Sequence, residues 1–220
     1  MVSFGLPYIR LIMTYYPIFL DLSGQNCLVV GGGDVAERKV NGLLEAGALV
    51  TVVSPGLSAA LSQSLGEGTI SHINRDYQSG DIEGYRLVIA ATDDESINKT
   101  VVSDASGADK LVNVVDQTEL CSFIVPSVLN RGPLQIAVST SGQSPLLASR
   151  IRRQLEDEFG PEYGDWVSIV GQFRRRLMAS SGDESVKRAA YERLLDSDLL
   201  DKVRAKELID IDGLIDELTR

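Results

Sequence analysis

At 220 residues, with 44% hydrophobic and 24% charged side chains, the chain can hold one ordinary domain and a smaller appendage, which excludes a disordered or fibrous protein. A net charge of −10 argues against nucleic acid and anionic membrane surfaces as partners, because both reward a basic face; any anionic ligand needs a local cluster of positive charge. Two cysteines, Cys27 and Cys121, make neither a disulfide framework nor a zinc site; on buried strands, where both are expected, they suit a reducing, cytoplasmic setting.

In chain order, residues 1–12 read as an ill-defined extension. The apolar stretch 6–13 is interrupted by Pro7 and Arg10, is too short to span a bilayer and precedes no cleavage pattern; Met13 is an alternative start. The run NCLVVGGG at 26–33 predicts a buried strand ending in glycines, and AERKVNGLLEAG continues with helical spacing that places Val40, Leu43 and Leu44 on one face before Gly47. ALVTVVSP is a second strand closed by Pro55, LSAALSQSL a helix, TISHINRDY an alternating strand and YRLVIAATDD another buried strand. ESINKTVVSDASGA predicts a helix capped in the region of Asp93 and Asp94, and KLVNVVD a fifth strand ending at Asp116. This alternation implies an α/β fold with a Rossmann-like parallel sheet.

The pattern then changes. SFIVPSVLNRGPLQIAVST reads as two strands joined at Asn130-Arg131-Gly132-Pro133, and Ser144-Pro145 opens a helix running LLASRIRRQLEDEF. From Gly160 onward only helical patterns remain: DWVSIVGQFRRRLMA, ESVKRAAYERLLD and IDGLIDELT. The expected parts are a nucleotide domain over 1–124, a small strand–helix unit over 125–157 and a helical domain over 158–220.

Gly31-Gly32-Gly33-Asp34-Val35-Ala36 matches GxGxxA. Gly31 permits the tight turn, Gly33 lets the backbone approach a pyrophosphate, and Ala36 allows close helix–strand packing, so that the helix N-terminus faces the anion. A glycine triplet alone is weak evidence, but this one follows a hydrophobic strand, opens a helix and leads into a second strand. The acid expected at the end of that second strand, where it would bond a ribose hydroxyl, is replaced by Val53, Ser54 and Pro55. Ser54 can bind a ribose hydroxyl or tolerate a phosphate, so these residues leave NAD and NADP both open.

YPIFLDLSGQNCLVVGGGDVAERKVNGLLEAGA, AATDDESIN, NVVDQTELCSFIVPS and SGQSPLLASRIRRQLE occur here in one order. Together they resemble the N-terminal module of sirohaem synthases and the free-standing precorrin-2 dehydrogenases, from about residue 16 to residue 180. The resemblance implies a dinucleotide domain, a dimerisation unit and a helical domain working as a homodimer. It also implies NAD-dependent oxidation of precorrin-2 to sirohydrochlorin, with ferrous iron inserted by some members. The family's cofactor contacts fall on Gly31, Gly33, Asp34 and Val35, on Ser54, Pro55 and Gly56, and on Thr92; its essential aspartate falls on Asp116. Thr140 stands where some relatives carry a phosphorylated serine, with Ser141 and Gln143 in a loop often richer in glycine and threonine.

A carboxylate at Asp116 would take the proton lost as a hydride leaves for nicotinamide; from spacing alone, a cap or turn acid stays open. Precorrin-2 is polyanionic, and Arg131, Arg150 and Arg153 are the substrate-binding candidates, with Arg152 and the triplet 174–176 behind them, because guanidinium forks bind carboxylates in pairs. The plainer reading is a solvated helix face paired with Glu156 or Glu158. His72, the lone histidine, lies away from every motif, and no dedicated metal site is expected. Two other readings share the glycine loop: an NAD-sensing regulatory module without catalysis, and a structural dimer with a degenerate loop.

Overall fold

A computed structural model of the chain describes residues 15–220, so the expectations for residues 1–14 lie outside the described residues. The chain forms two compact units, divided between Val125 and Pro126. The first contains β1 (Asn26–Val30), α1 (Asp34–Glu45), β2 (Leu49–Ser54), α2 (Ala59–Gly66), β3 (Ile70–Asn74), β4 (Leu87–Ala90), α3 (Glu95–Gly107) and β5 (Leu111–Val114). Its five strands are all parallel, in the order β3-β2-β1-β4-β5. The expected Rossmann-like sheet is therefore present.

Both faces of this sheet are covered, which is why its strands read as continuous apolar runs rather than alternating ones. One face packs Val29, Val52 and Ile89 against Ala36, Val40 and Leu43 of α1 and Leu61 of α2. The other packs Leu28, Val88 and Val112 against Val101 and Ala105 of α3. The change of covering face accompanies the reversal of strand order between β1 and β4. Ligands of open α/β sheets gather at such a reversal.

Two expectations shift at the end of this unit. The fifth strand stops at Val114, so Asp116 lies in a turn beyond it, with φ +61. Cys121 is not on a strand; it follows a 3-10 turn over Thr118–Leu120. The segment 121–123 instead completes the exposed edge of β5. The Ser122 hydroxyl accepts from Val112 N (2.8 Å), and Asn113 Nδ2 donates to Phe123 O (3.0 Å). Ser122, through its hydroxyl and its own N–H to Val112 O (2.9 Å), thus satisfies part of an edge that a sixth strand would otherwise cover.

The second unit opens with the antiparallel pair β6 (Ser127–Arg131) and β7 (Leu134–Val138), shorter than the strands expected from residue 122. One face of the pair is buried at Leu129, against α4 (Pro145–Glu158) and α5 (Glu162–Ala179), while Val128 on the other face is exposed. The remaining helices are α6 (Glu184–Leu195), α7 (Leu199–Arg204) and α8 (Ile211–Leu218), of which α7 had no sequence signal. Phe173, Leu177, Ala190, Leu194 and Leu199 form their core. No described helix is long and apolar enough to cross a membrane.

Candidate functional site

A cleft of about 660 Å³ opens at the carboxyl ends of β1, β2 and β4. All the residues expected to contact a cofactor line it: Gly31, Gly33, Asp34, Val35, Ser54, Pro55, Gly56 and Thr92. The three glycines do different work. Gly31 has φ +118, and a Cβ there would overlap the carbonyl of Ala91, so the turn needs both the angle and the close approach. Gly32, to which the sequence assigned no role, is the most confined: a Cβ would overlap Gly56 O and lie 2.6 Å from Ser54 Oγ. At Gly33 a Cβ would meet nothing within 4 Å and the backbone is extended, so the space above it is free for a ligand.

Gly33 is also the N-cap of α1, and no side chain caps that helix. In the same unit, Ser58 caps α2 and Asp94 caps α3. The first N–H groups of α1 therefore remain available beside the glycine turn, where the helix dipole favours a phosphate. Open space over Gly33 and an uncapped helix start fit a dinucleotide's pyrophosphate. Ala36 is fully buried against the sheet, as close packing requires.

The end of β2 is braced from several sides. The Ser54 hydroxyl donates to Gly56 O (2.7 Å), and Ser58 N donates to Gly32 O (2.7 Å). Ser58 Oγ donates to Glu37 Oε2 of α1 (2.8 Å). His72 also belongs here, contrary to its expected isolation. Its Nε2 lies 2.9 Å from Ser54 O and 3.3 Å from Ser54 Oγ; since a carbonyl only accepts, Nε2 carries the proton. Parallel pairing of β2 with β3 produces this contact, and no linear motif signals it.

Thr92 follows β4. Its carbonyl accepts from the Asn98 side chain (3.0 Å), and its hydroxyl accepts from Asp94 N (3.2 Å). Asn98 is buried, and its Oδ1 has no partner among the described residues. The cap of α3 is Asp94, bonded to Ser96 N and Ile97 N, which leaves Asp93 to line the cleft. Asp76 and Tyr77, just past β3, line it too and were missed by the sequence reading; an acid sought at the end of the neighbouring strand would have found Asp76.

Asp116 is at the same end of the sheet but does not line the cleft. It is exposed, and its carboxylate makes no hydrogen bond to a described residue. The turn that carries it is held by Cys121. Sγ accepts from Val114 N (3.1 Å) and lies 3.3 Å from both Val114 O and Gln117 O, which share its single S–H as acceptors. Burial pushes this thiol up, outweighing the Val114 hydrogen bond, so it stays protonated and can donate. Lys39 of α1 is nearby and half-buried. Burial, reinforced by Arg38, holds its ammonium below the ordinary lysine range, against the opposing pull of Cys121 and Asp116.

The arginine candidates belong to the second unit. Arg131 is largely committed, with Nε donating to Phe159 O (2.9 Å) and Nη1 to Asn130 O (3.2 Å). Arg152 pairs with Glu156. Arg150 and Arg153 are exposed on α4, with no ion pair among the described residues. No cluster of acids, cysteines and histidine suited to a metal occurs among the described residues.

The family described as "Putative NAD(P)-binding" matches residues 18–127, half of the chain and all of the cleft. The chain belongs to this family. A second, described as "Sirohaem biosynthesis protein central", matches residues 131–158. Among curated relatives, a "Siroheme synthase" of Photobacterium profundum is 44% identical over 191 residues, 87% of this chain and 41% of that protein. Another, of Thioalkalivibrio sulfidiphilus, is 44% identical over 184 residues, 84% of this chain and 38% of that protein. The chain thus spans about two fifths of the length of these relatives. The solved structure of "SirC, precorrin-2 dehydrogenase" matches with a TM-score of 0.76 at 27% identity, covering 93% of this chain and 98% of that one.

Proposed function

We propose that the protein is an NAD-dependent dehydrogenase that oxidises precorrin-2 to sirohydrochlorin. The observation that carries this reading is the cleft. Its glycine turn is too tight for side chains at Gly31 and Gly32 and open above Gly33, beside an uncapped helix, in a chain similar to sirohaem synthases and to a precorrin-2 dehydrogenase. Gly33, Asp34 and Val35 would hold the pyrophosphate through backbone N–H groups, Ser54–Gly56 the adenosine side, and Thr92 the rim after β4. A bound nicotinamide supplies the hydride acceptor.

Oxidation removes two hydrogens from the macrocycle, one as hydride and one as a proton. Asp116 accepts the proton: its carboxylate is exposed beyond β5 and is not spent on a hydrogen bond to a described residue. The thiol of Cys121 fixes the turn, and Lys39 of α1 is close enough to feel the charge of Asp116. Arg150 and Arg153 would bind carboxylates of the substrate, and Arg131 has only its remaining N–H groups to offer. A homodimer, formed over apolar residues such as Val128, Leu146 and Leu147, belongs to the same proposal, as does a cytoplasmic location. Ferrous iron would be a second substrate, held by Asp116 and the macrocycle nitrogens.

Anaerobic incubation with precorrin-2 and NAD, then with ferrous iron, tests this by absorbance. The expected result is growth of NADH together with the sirohydrochlorin spectrum. NAD bound with no turnover would instead favour a sensing module.

A further inference from the structure

The cleft has three acidic side chains, Asp34, Asp76 and Asp93, and among its described lining residues no lysine or arginine. The three stand at different places. Asp34 begins α1 beside the phosphate turn, and Asp93 follows β4, across β1 from β2. Asp76 alone comes from the β2 side. Asn74, two residues before it, pairs in register with Ser54, so Asp76 adjoins the rim at which Ser54 replaces the usual acid.

The segment that presents Asp76 is fixed by its neighbours. Arg75 forms a two-pronged pair with Asp81 (2.6 and 2.8 Å), and its Nη1 also donates to the Asp76 carbonyl (2.9 Å). The Tyr77 hydroxyl, from a buried ring, donates to Asp104 of α3 (2.7 Å). Of these bonds one uses the Asp76 carbonyl and none its carboxylate, which is exposed, with no hydrogen bond or ion pair among the described residues. They also occupy Arg75, the nearest arginine in sequence and a group that could otherwise receive a phosphate.

We propose that Asp76 selects a dinucleotide with free ribose hydroxyls over one bearing a 2′-phosphate. The proposal rests on the dinucleotide reading of the cleft. A carboxylate accepts hydrogen bonds from both hydroxyls of a ribose, whereas a phosphate at the 2′ position sets like charges side by side, with no lysine or arginine among the described lining residues to offset them. Selectivity moves one strand outward from its usual seat: β3 supplies the acid that β2 lacks.

Titration calorimetry on the full chain, with NAD and NADP as separate ligands, tests this without turnover. The wild type should prefer NAD by about 100-fold, and Asp76→Asn should narrow that preference by about tenfold, chiefly through tighter NADP binding. Asp76→Glu should keep it, which guards against a folding defect in the first variant. Added salt should narrow the preference of the wild type and barely move that of Asp76→Asn, since screening acts on a charge the variant lacks. NAD binding with an unchanged ratio in Asp76→Asn overturns the role of Asp76 and leaves the dinucleotide reading standing. Failure of the wild type to bind either nucleotide overturns both.

Discussion

The turns that follow β1 and β5 stand at the same rim of one sheet and are built by opposite means. After β1 the backbone itself fills the space, and Gly31 and Gly32 are confined by the carbonyls of Ala91 and Gly56. After β5 side chains supplement the backbone bond from Ser122 N to Val112 O: the Cys121 thiol, the Ser122 hydroxyl and the Asn113 amide. The first turn is weakened by an added atom where it is tight, and the second by a lost hydrogen bond. A binding surface for a fixed ligand gains from the first design, whereas a single carboxylate presented in a left-handed conformation needs only the second.

Function separates the two turns most sharply. Asp116→Asn keeps the size of the side chain and leaves the cleft untouched, so NAD affinity should hold while turnover falls by about 10²-fold or more. Parallel calorimetry and sirohydrochlorin assays measure both. Unchanged turnover would remove Asp116 from the chemistry and leave its turn a structural feature.

Within the glycine turn the contrast becomes one of position. Gly33→Ala adds a methyl to open space on extended backbone, so its unfolding midpoint should match the wild type while dinucleotide affinity drops about tenfold or more. Gly32→Ala forces apart β1 and the segment after β2, at a cost of about 1–3 kcal/mol in urea unfolding. If the two variants exchanged these outcomes, the ligand would lie on the wrong side of the turn.

How far each region was legible follows from the same difference. Backbone-built parts leave local signals: apolar runs for buried strands, glycines at a close approach, and helical spacing through Val40 and Leu43. They gave the sheet and the glycine turn; Ser54, Pro55, Gly56 and Thr92 came from the family resemblance, and Asp76 and Tyr77 went unread. Side-chain-built parts depend on what the fold brings together. Cys121 looked like a buried strand residue because its bonds to Val114 and Gln117 need the 3-10 turn. His72 looked isolated because only strand pairing brings it to Ser54. Asp76 was passed over because the acid was sought on β2 alone. Arg131 is a substrate-binding candidate on residue type alone, and the sequence does not signal that a hairpin and a helix end, distant in sequence, also give it the carbonyl of Phe159.

Cys121 tests the second design directly. Cys121→Ala leaves Val114 N–H without its acceptor and should cost about 1 kcal/mol, with turnover falling by up to about tenfold as Asp116 is held less firmly, while NAD affinity stays unchanged. Cys121→Ser restores a donor and an acceptor and should recover most of the turnover. That rescue distinguishes hydrogen bonding from packing. Equal turnover in the Ala and Ser variants would assign the thiol a volume role alone.

The smallest effect tests whether the Asp76–Tyr77 segment belongs with either design. The Arg75 hydrogen bond holds the Asp81 carboxyl below the usual carboxylate range, and the Tyr77 hydroxyl does the same for Asp104. Both groups bind protons more readily unfolded than folded. Their contribution is therefore complete above about pH 4 and is lost as pH falls through the lowered folded values. The Tyr77 hydroxyl is raised, by burial first and the Asp104 carboxylate second, so its own contribution is complete below about pH 10 and is lost only at higher pH. Asp104→Asn should flatten the acid limb of a urea-midpoint profile by about 1 kcal/mol or less, because the pair is only partly sheltered from solvent. Since Tyr77 lines the cleft, the same variant should also weaken NAD slightly at pH 7. A flattened limb with unaltered affinity would make the segment a brace for α3; a loss of affinity ties it to the adenosine end of the cleft, where Asp76 is proposed to act.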